Sequence, residues 1–103
     1  MNDTQSLTSQ QLEVEGIRIE PMTPPVYITE NLPLACFIVA NELLPFKSVE
    51  RVNTMRLSFH FFDYSGTGKR IAADFWSGGI VSAVKYYDAM RRLRKLMEDA
   101  RND

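Results

Sequence analysis

Five basic side chains in the last third of the chain give the clearest chemical signal in the sequence. They are Lys85, Arg91, Arg92, Arg94 and Lys95. Clustered lysine and arginine side chains are a common means of contacting nucleic-acid phosphates. Acidic residues interrupt the run, because Asp88, Glu98 and Asp99 each lie about one helical turn from two or more of the cations. We therefore expect these cations either to bind phosphates or to be paired along a solvated helix face.

A glycine-rich segment, residues 66–70, stands between a predicted strand and a predicted helix. Glycines in front of a helix can cradle an anion. The phosphate-loop pattern is not met, because Asp63 replaces its first glycine and Arg70 follows Lys69 where serine or threonine is required. The segment is expected to form either a plain turn or a single phosphate contact, and Lys69 and Arg70 join the predicted nucleic-acid-binding residues.

Aromatic residues offer possible stacking surfaces for bases. The segment 56–62 is similar to the aromatic strand of RNA recognition modules but lacks their glycines. Phe59 and Phe61 are expected to pack in the core, whereas Phe62 lies on the opposite face, either covered or exposed. Together with Phe62, Trp76 and Tyr87 are the stacking candidates.

No constellation of catalytic or metal-binding residues is recognisable. The chain has one histidine and one cysteine, so neither a metal cluster nor a cysteine or serine triad has local support. Asp63 and Asp74 are better explained as a loop cap and a surface acid than as a carboxylate pair. We expect a protein that is not an enzyme and that uses no metal or cofactor.

The composition predicts one small domain. A chain of 103 residues, 45% hydrophobic, is too short for two cores. Residues 45–97 carry a net charge of +6 between acidic ends. The single Cys36 gives no sign of an oxidising compartment, and neither a signal peptide nor an apolar run of about 18 residues is present. A cytoplasmic protein without membrane contact is expected.

Residues 1–25 are polar and end in a proline-rich stretch, so they are expected to form a disordered or arm-like tail. Within this tail, Leu12, Val14, Ile17 and Ile19 could alternatively form an edge strand or dock on a partner. Residues 26–103 are then a single α+β domain. Its predicted elements are a helix over residues 32–43, strands over 46–52 and 55–63, and helices over 69–77 and 83–100, in the order helix, strand, strand, helix, helix. The two strands are expected to form a small antiparallel sheet, a hairpin, on which the helices pack.

Two features of the predicted helices suggest contacts beyond this framework. The first helix is apolar almost all round, which predicts that part of it meets another copy or a partner protein. The predicted interface residues are Leu34, Phe37, Ile38 and Leu44. On the last helix, Arg94 falls within the apolar half, so its charge is expected to need a partner there.

Four stretches carry a resemblance to a known family: residues 34–37, 59–63, 75–78 and 87–94. Over about residues 29–97 the chain resembles a family of small phage and mobile-element proteins, catalogued as a domain of unknown function. The resemblance implies a viral or mobile-element setting, in the host cytoplasm, without a reaction or ligand. The leading hypothesis is a non-enzymatic nucleic-acid-binding accessory protein; the alternative is a homo-oligomer, inhibitor or adaptor that uses the first helix.

Overall fold

The computed structural model describes residues 24–102, which form three strands and three helices. In chain order they are β1 (Val26–Thr29), α1 (Leu32–Ala40), β2 (Phe46–Arg51), β3 (Leu57–Phe62), α2 (Gly68–Trp76) and α3 (Ala83–Arg101). The α+β class and the order of the five predicted elements are confirmed. The tail predicted for residues 1–25, with the alternatives for its apolar residues, lies outside the described residues except for Pro24 and Pro25.

The strand β1 was not predicted, and it makes the sheet three-stranded with the order β1-β3-β2. It pairs antiparallel with β3, placing Tyr27 opposite Phe61 and Ile28 opposite His60. The carbonyl of Pro25 accepts a hydrogen bond from the backbone N–H of Asp63 at 2.8 Å, which continues the pairing beyond the strand. β3 is therefore the central strand, paired on both edges.

The β2–β3 hairpin forms as predicted, although its loop is longer. Phe59 and Phe61 are 1% and 0% exposed, which confirms their place in the core. The Asn53 side chain accepts hydrogen bonds from the backbone N–H groups of Met55 and Arg56 at 2.8 and 2.9 Å. This turn holds Met55 outside β3, where it is 87% exposed, although strand alternation with Phe59 and Phe61 would place it on their face.

Helix α1 starts where its capping signals predict but ends three residues early. Asn31 caps it by accepting the N–H of Leu34 at 2.8 Å. At the other end, Leu43 N–H donates to Ile38 and Glu42 N–H donates to Val39, which is the pattern of a Schellman motif. Glu42 takes the left-handed position with φ 54°, where glycine is the usual residue.

Replacing Glu42 with glycine is expected to stabilise the protein. A side chain at this φ crowds the backbone, at a cost of about 1 kcal/mol, and glycine removes that cost. Chemical denaturation of Glu42→Gly should therefore show an unchanged or higher midpoint, whereas Glu42→Val should lower it. A large loss of stability in Glu42→Gly would contradict the left-handed conformation of residue 42.

The core lies between the inner face of the sheet, α1 and α3. One hydrophobic cluster joins Ile38 of α1, Phe59 and Phe61 of β3, and Leu93 of α3. The residues predicted as an interface are part of this core: Leu34, Phe37, Ile38 and Leu44 are 2%, 5%, 0% and 7% exposed. That prediction is wrong, because the additional strand β1 and the long helix α3 together cover α1 within one chain.

Helices α2 and α3 are joined by a short connection that is held in place. Gly78, at φ 99°, follows α2 as predicted, and the Ser82 hydroxyl caps α3 by accepting the N–H of Lys85 at 3.4 Å. Between them, Gly79 lies so close to Phe37 that a Cβ there would be 2.7 Å from its ring. The Asn41 side chain donates to the Ile80 carbonyl at 3.1 Å, which ties the connection to α1.

Among residues 24–102, no helix combines the length and the apolar character needed to cross a membrane.

Candidate nucleic-acid interface

A cleft of about 740 Å³ lies between α3 and the start of β2. Its lining residues are Phe46, Asp88, Arg91, Arg92, Lys95 and Leu96. Three of them are predicted nucleic-acid-binding cations, and they face a single acid. We call this feature the basic cleft.

The fold positions the basic cleft through the apolar side of α3. Leu93 is fully buried, whereas Arg91, Arg92 and Lys95 on neighbouring turns are exposed. Phe46 opens β2, and its ring packs edge-on against Phe61 at a centroid distance of 5.6 Å. The Phe46 ring therefore lies beside three cations, which are carried by two successive turns of α3.

The cations of α3 are not paired along the helix. The ion pairs within residues 24–102 include Lys47–Glu50 and Arg56–Glu30, and none of them involves a cation of α3. The pairing considered for Asp88, Glu98 and Asp99 is thus not formed within the described part of the chain. Each guanidinium or ammonium group in the basic cleft remains available to an anion.

The other predicted cations lie around the basic cleft or apart from it. Lys85 borders a smaller cavity of about 190 Å³, which it shares with Arg92 and Glu42. Lys69 and Arg70 are exposed on the first turn of α2 and do not line the cleft. The structure therefore brings Arg91, Arg92 and Lys95 together, with Lys85 nearby, and leaves the cations of α2 separate.

Arg94 is exposed, so its expected place in a buried half of α3 is wrong. The apolar side of the helix is centred on Ala89 and Leu93, and Arg94 falls at its margin. Arg94 still acts on the core: burial raises the pKa of the Cys36 thiol to about 11, and the positive charge of Arg94 opposes that rise.

The Cys36 thiol is expected to be unreactive in the folded protein. It is 0% exposed, and the raised pKa keeps it protonated at neutral pH. Because the pKa lies above its ordinary value of 9.0, this group's contribution to stability is complete below pH 9 and is lost as the pH rises through about 11. Iodoacetamide at pH 8 should label the denatured chain and leave the native chain unlabelled; equal labelling of both would contradict this burial.

In the glycine-rich segment, two backbone N–H groups in front of α2 already have a partner within the chain. The carboxylate of Asp63 already accepts the N–H groups of Thr67 and Gly68, at 2.9 and 3.0 Å, in front of α2. Gly68 packs so closely on the Tyr27 ring that a Cβ there would overlap it. The prediction of a loop cap for Asp63 is confirmed, and this cap takes up two of the N–H groups that a phosphate would need.

Two of the three stacking candidates are exposed. Trp76 is 68% exposed and Tyr87 61% exposed. Phe62 is half-buried on the outer face of the sheet, and its ring stacks on Tyr64 with centroids 5.7 Å apart. The guanidinium of Arg91 lies over the Tyr87 ring, 5.8 Å from its centroid. Arg91 therefore links the basic cleft to an exposed aromatic ring.

Sequence reasoning did not single out Phe46 or Tyr64. Phe46 opens the predicted second strand, but nothing local indicates that its ring borders the cations of a helix more than 40 residues away. Tyr64 lies two residues after Phe62, the spacing that places two side chains on the same face of a strand. This spacing is only a weak indication that the two rings stack.

Within residues 24–102, no group of three or more histidine, cysteine, aspartate or glutamate side chains is arranged to hold a metal ion. Comparison of the chain with models of protein families, with curated proteins and with solved structures found no match. The geometry of the basic cleft is therefore the main guide to function.

Proposed function

We propose that this protein is a non-enzymatic nucleic-acid-binding accessory protein that holds phosphates in the basic cleft. A phage or mobile-element origin, and with it the cytoplasm of a host cell, belongs to the same proposal and rests on the resemblance of residues 29–97. The observation that carries the proposal is the convergence of Arg91, Arg92 and Lys95 on one cleft without ion-pair partners among the described residues.

Unpaired cations in a concave surface favour a polyanion as the ligand. Each phosphate that a lysine or arginine neutralises releases condensed counterions, so several adjacent cations add their contributions. Arginine also binds phosphate through two parallel hydrogen bonds. Among the described residues, Asp88 is the only acid lining the cleft, so three cations there face one carboxylate.

The charge of the whole described region agrees with this assignment. Residues 24–102 contain eleven lysine and arginine residues and eight acids, a net charge of +3, although the full chain carries −1. The predicted contacts on α2, Lys69 and Arg70, extend the positive surface beyond the basic cleft. An extended polyanion can reach both sets of cations, whereas a small anion can reach only one.

The proposal is tested by fluorescence anisotropy of labelled 20-nucleotide DNA and RNA, single-stranded and duplex, titrated with the full chain at 50 and 200 mM salt. Binding at low salt that weakens steeply at 200 mM is expected, since the logarithm of the affinity falls by about 0.7 to 0.9 per phosphate contact for each logarithm of salt. No binding of any of the four at micromolar protein and 50 mM salt would reject the proposal.

A further inference from the structure

From the exposure of Trp76 and Tyr87 and the contact of Tyr87 with Arg91 of the basic cleft, we propose that the protein selects single-stranded nucleic acid and stacks unpaired bases on these two rings. The inference rests on the proposed function and adds the class of nucleic acid. The surface concerned, which we call the aromatic surface, consists of Trp76, Ile80, Val84 and Tyr87.

The aromatic surface is unusually apolar for a region so open to solvent. Trp76, Ile80, Val84 and Tyr87 are 68%, 89%, 69% and 61% exposed. They fall within twelve consecutive residues, at the end of α2, in the connection and in the first turns of α3. Large exposed apolar groups that occur together commonly mark a binding surface.

The support beneath the aromatic surface is rigid. The Trp76 ring packs edge-on against Phe75 at 4.9 Å, and Phe75 packs in turn against Phe37 of α1 at 5.3 Å. The connection itself is fixed by the contact of Gly79 with Phe37 and by the hydrogen bond between Asn41 and Ile80. Rings held in this way need little further ordering when a base stacks on them.

The charges around the aromatic surface favour nucleic acid over a protein partner. Lys69 lies two helical turns before Trp76 on the same side of α2, and Arg91 and Arg94 follow Tyr87 by one and two turns on α3. The Arg91 guanidinium covers one face of the Tyr87 ring and also lines the basic cleft. Aromatic rings interspersed with cations match a ligand in which bases and phosphates alternate.

A duplex does not present such a ligand. Its bases are stacked on one another, so only their edges are accessible in the grooves, whereas a single strand can place each base face against an aromatic side chain. The combination of exposed rings and adjacent cations is the arrangement that single-strand-binding proteins use, and it tolerates any base because every base has a flat face.

The test uses the full chain, a 20-nucleotide oligothymidylate and its duplex with oligoadenylate. Trp76 is the only tryptophan, so its emission reports stacking directly. The single strand should quench the emission and the duplex should leave it nearly unchanged. Because stacking contributes about 1–3 kcal/mol per base, Trp76→Ala and Tyr87→Ala should each weaken single-strand binding about tenfold and duplex binding less than about threefold.

A control separates stacking from the general loss of an exposed apolar side chain. Met55→Ala removes such a side chain, which is 87% exposed, from the β2–β3 loop and should change nothing. Failure of the wild type to bind either oligomer would reject the proposed function itself. Binding that Trp76→Ala and Tyr87→Ala leave unchanged, or weaken equally for both oligomers, would overturn single-strand selection alone. Single-strand selection would also be overturned if Trp76→Ala and Tyr87→Ala abolished self-association of the protein but left single-strand binding intact. The aromatic surface would then be a contact between two copies of the chain.

Discussion

Replacing Arg92 and Lys95 with glutamine is expected to lower the affinity for a single-stranded oligonucleotide on the order of 50-fold at 50 mM salt. For a single strand, each lost phosphate contact lowers by about 0.7 the slope with which the logarithm of the affinity falls against the logarithm of the salt concentration. Extrapolated from molar salt down to 50 mM, the loss of two contacts gives a decrease in affinity of that order. The anisotropy titration measures it, and the slope of the double variant should be lower by about 1.4.

A double variant with the same loss of charge elsewhere provides the control. Lys47 and Arg101 are exposed, and neither lines the basic cleft. Lys47→Gln with Arg101→Gln should therefore reduce the affinity by only a few-fold, through the weaker overall charge. Equal losses in the two double variants would mean that net charge, and not the cleft, binds the ligand. Arg91 is left in place in both variants because it also contacts Tyr87.

Replacing Leu93 with alanine should produce the largest loss of stability among single substitutions on α3. Leu93 is 0% exposed and belongs to the cluster that joins α3 to α1 and β3. Removing its side chain leaves a cavity in the core, which typically costs about 3 to 5 kcal/mol of unfolding free energy. Urea denaturation followed by circular dichroism measures this loss.

The matched control is Leu43→Ala, which removes the same atoms from a side chain that is 41% exposed. It should cost about 1 kcal/mol or less, since a large part of its surface is already in water and its loss leaves no enclosed cavity. Similar losses for the two variants would contradict the packing of α3 through Leu93. That packing matters for function, because it holds the three cations of the basic cleft next to Phe46.

The predictable part of the fold is the part that local signals determine. Asn31 and Ser82 mark the first residues of α1 and α3 because a cap is a contact within one turn of the chain. Gly78 ends α2 for the same reason. The strand β1 was missed because its four residues gain their pairing from β3, more than 30 residues away, and a segment that follows two prolines gives little local sign of a strand.

The candidate site was predictable as a set of residues but not as a surface. The cations of α3 are evident from the sequence, and so are Trp76 and Tyr87. That three of the cations meet at Phe46 depends on how α3 crosses the start of β2, and the contact of Arg91 with Tyr87 depends on their side-chain positions on α3. The expected pairing with Asp88, Glu98 and Asp99 shows the limit of spacing rules, because neighbours on a helix need not form an ion pair when water solvates both.

Helix α1 shows that the sequence also does not reveal which hydrophobic surface will be covered within the chain. An apolar helix in a small domain suggested an interface at Leu34, Phe37, Ile38 and Leu44, yet these side chains are buried within one chain. The sequence does not indicate how much of the surface of α1 the additional strand β1 and the 19-residue helix α3 can cover together. Exposed apolar side chains occur elsewhere, among them Trp76, Ile80, Val84 and Tyr87 around the α2–α3 connection.

The central claim is that nucleic acid binds along α3, between Phe46 and the aromatic surface. The most direct measurement is a two-dimensional NMR titration of the isotope-labelled full chain with the 20-nucleotide oligothymidylate. We expect the largest changes in chemical shift at Phe46, at residues 76–87 and at residues 88–96. Changes concentrated on the outer face of the sheet around Ser58 and His60, or no changes at a one-to-one ratio in low salt, would contradict the claim.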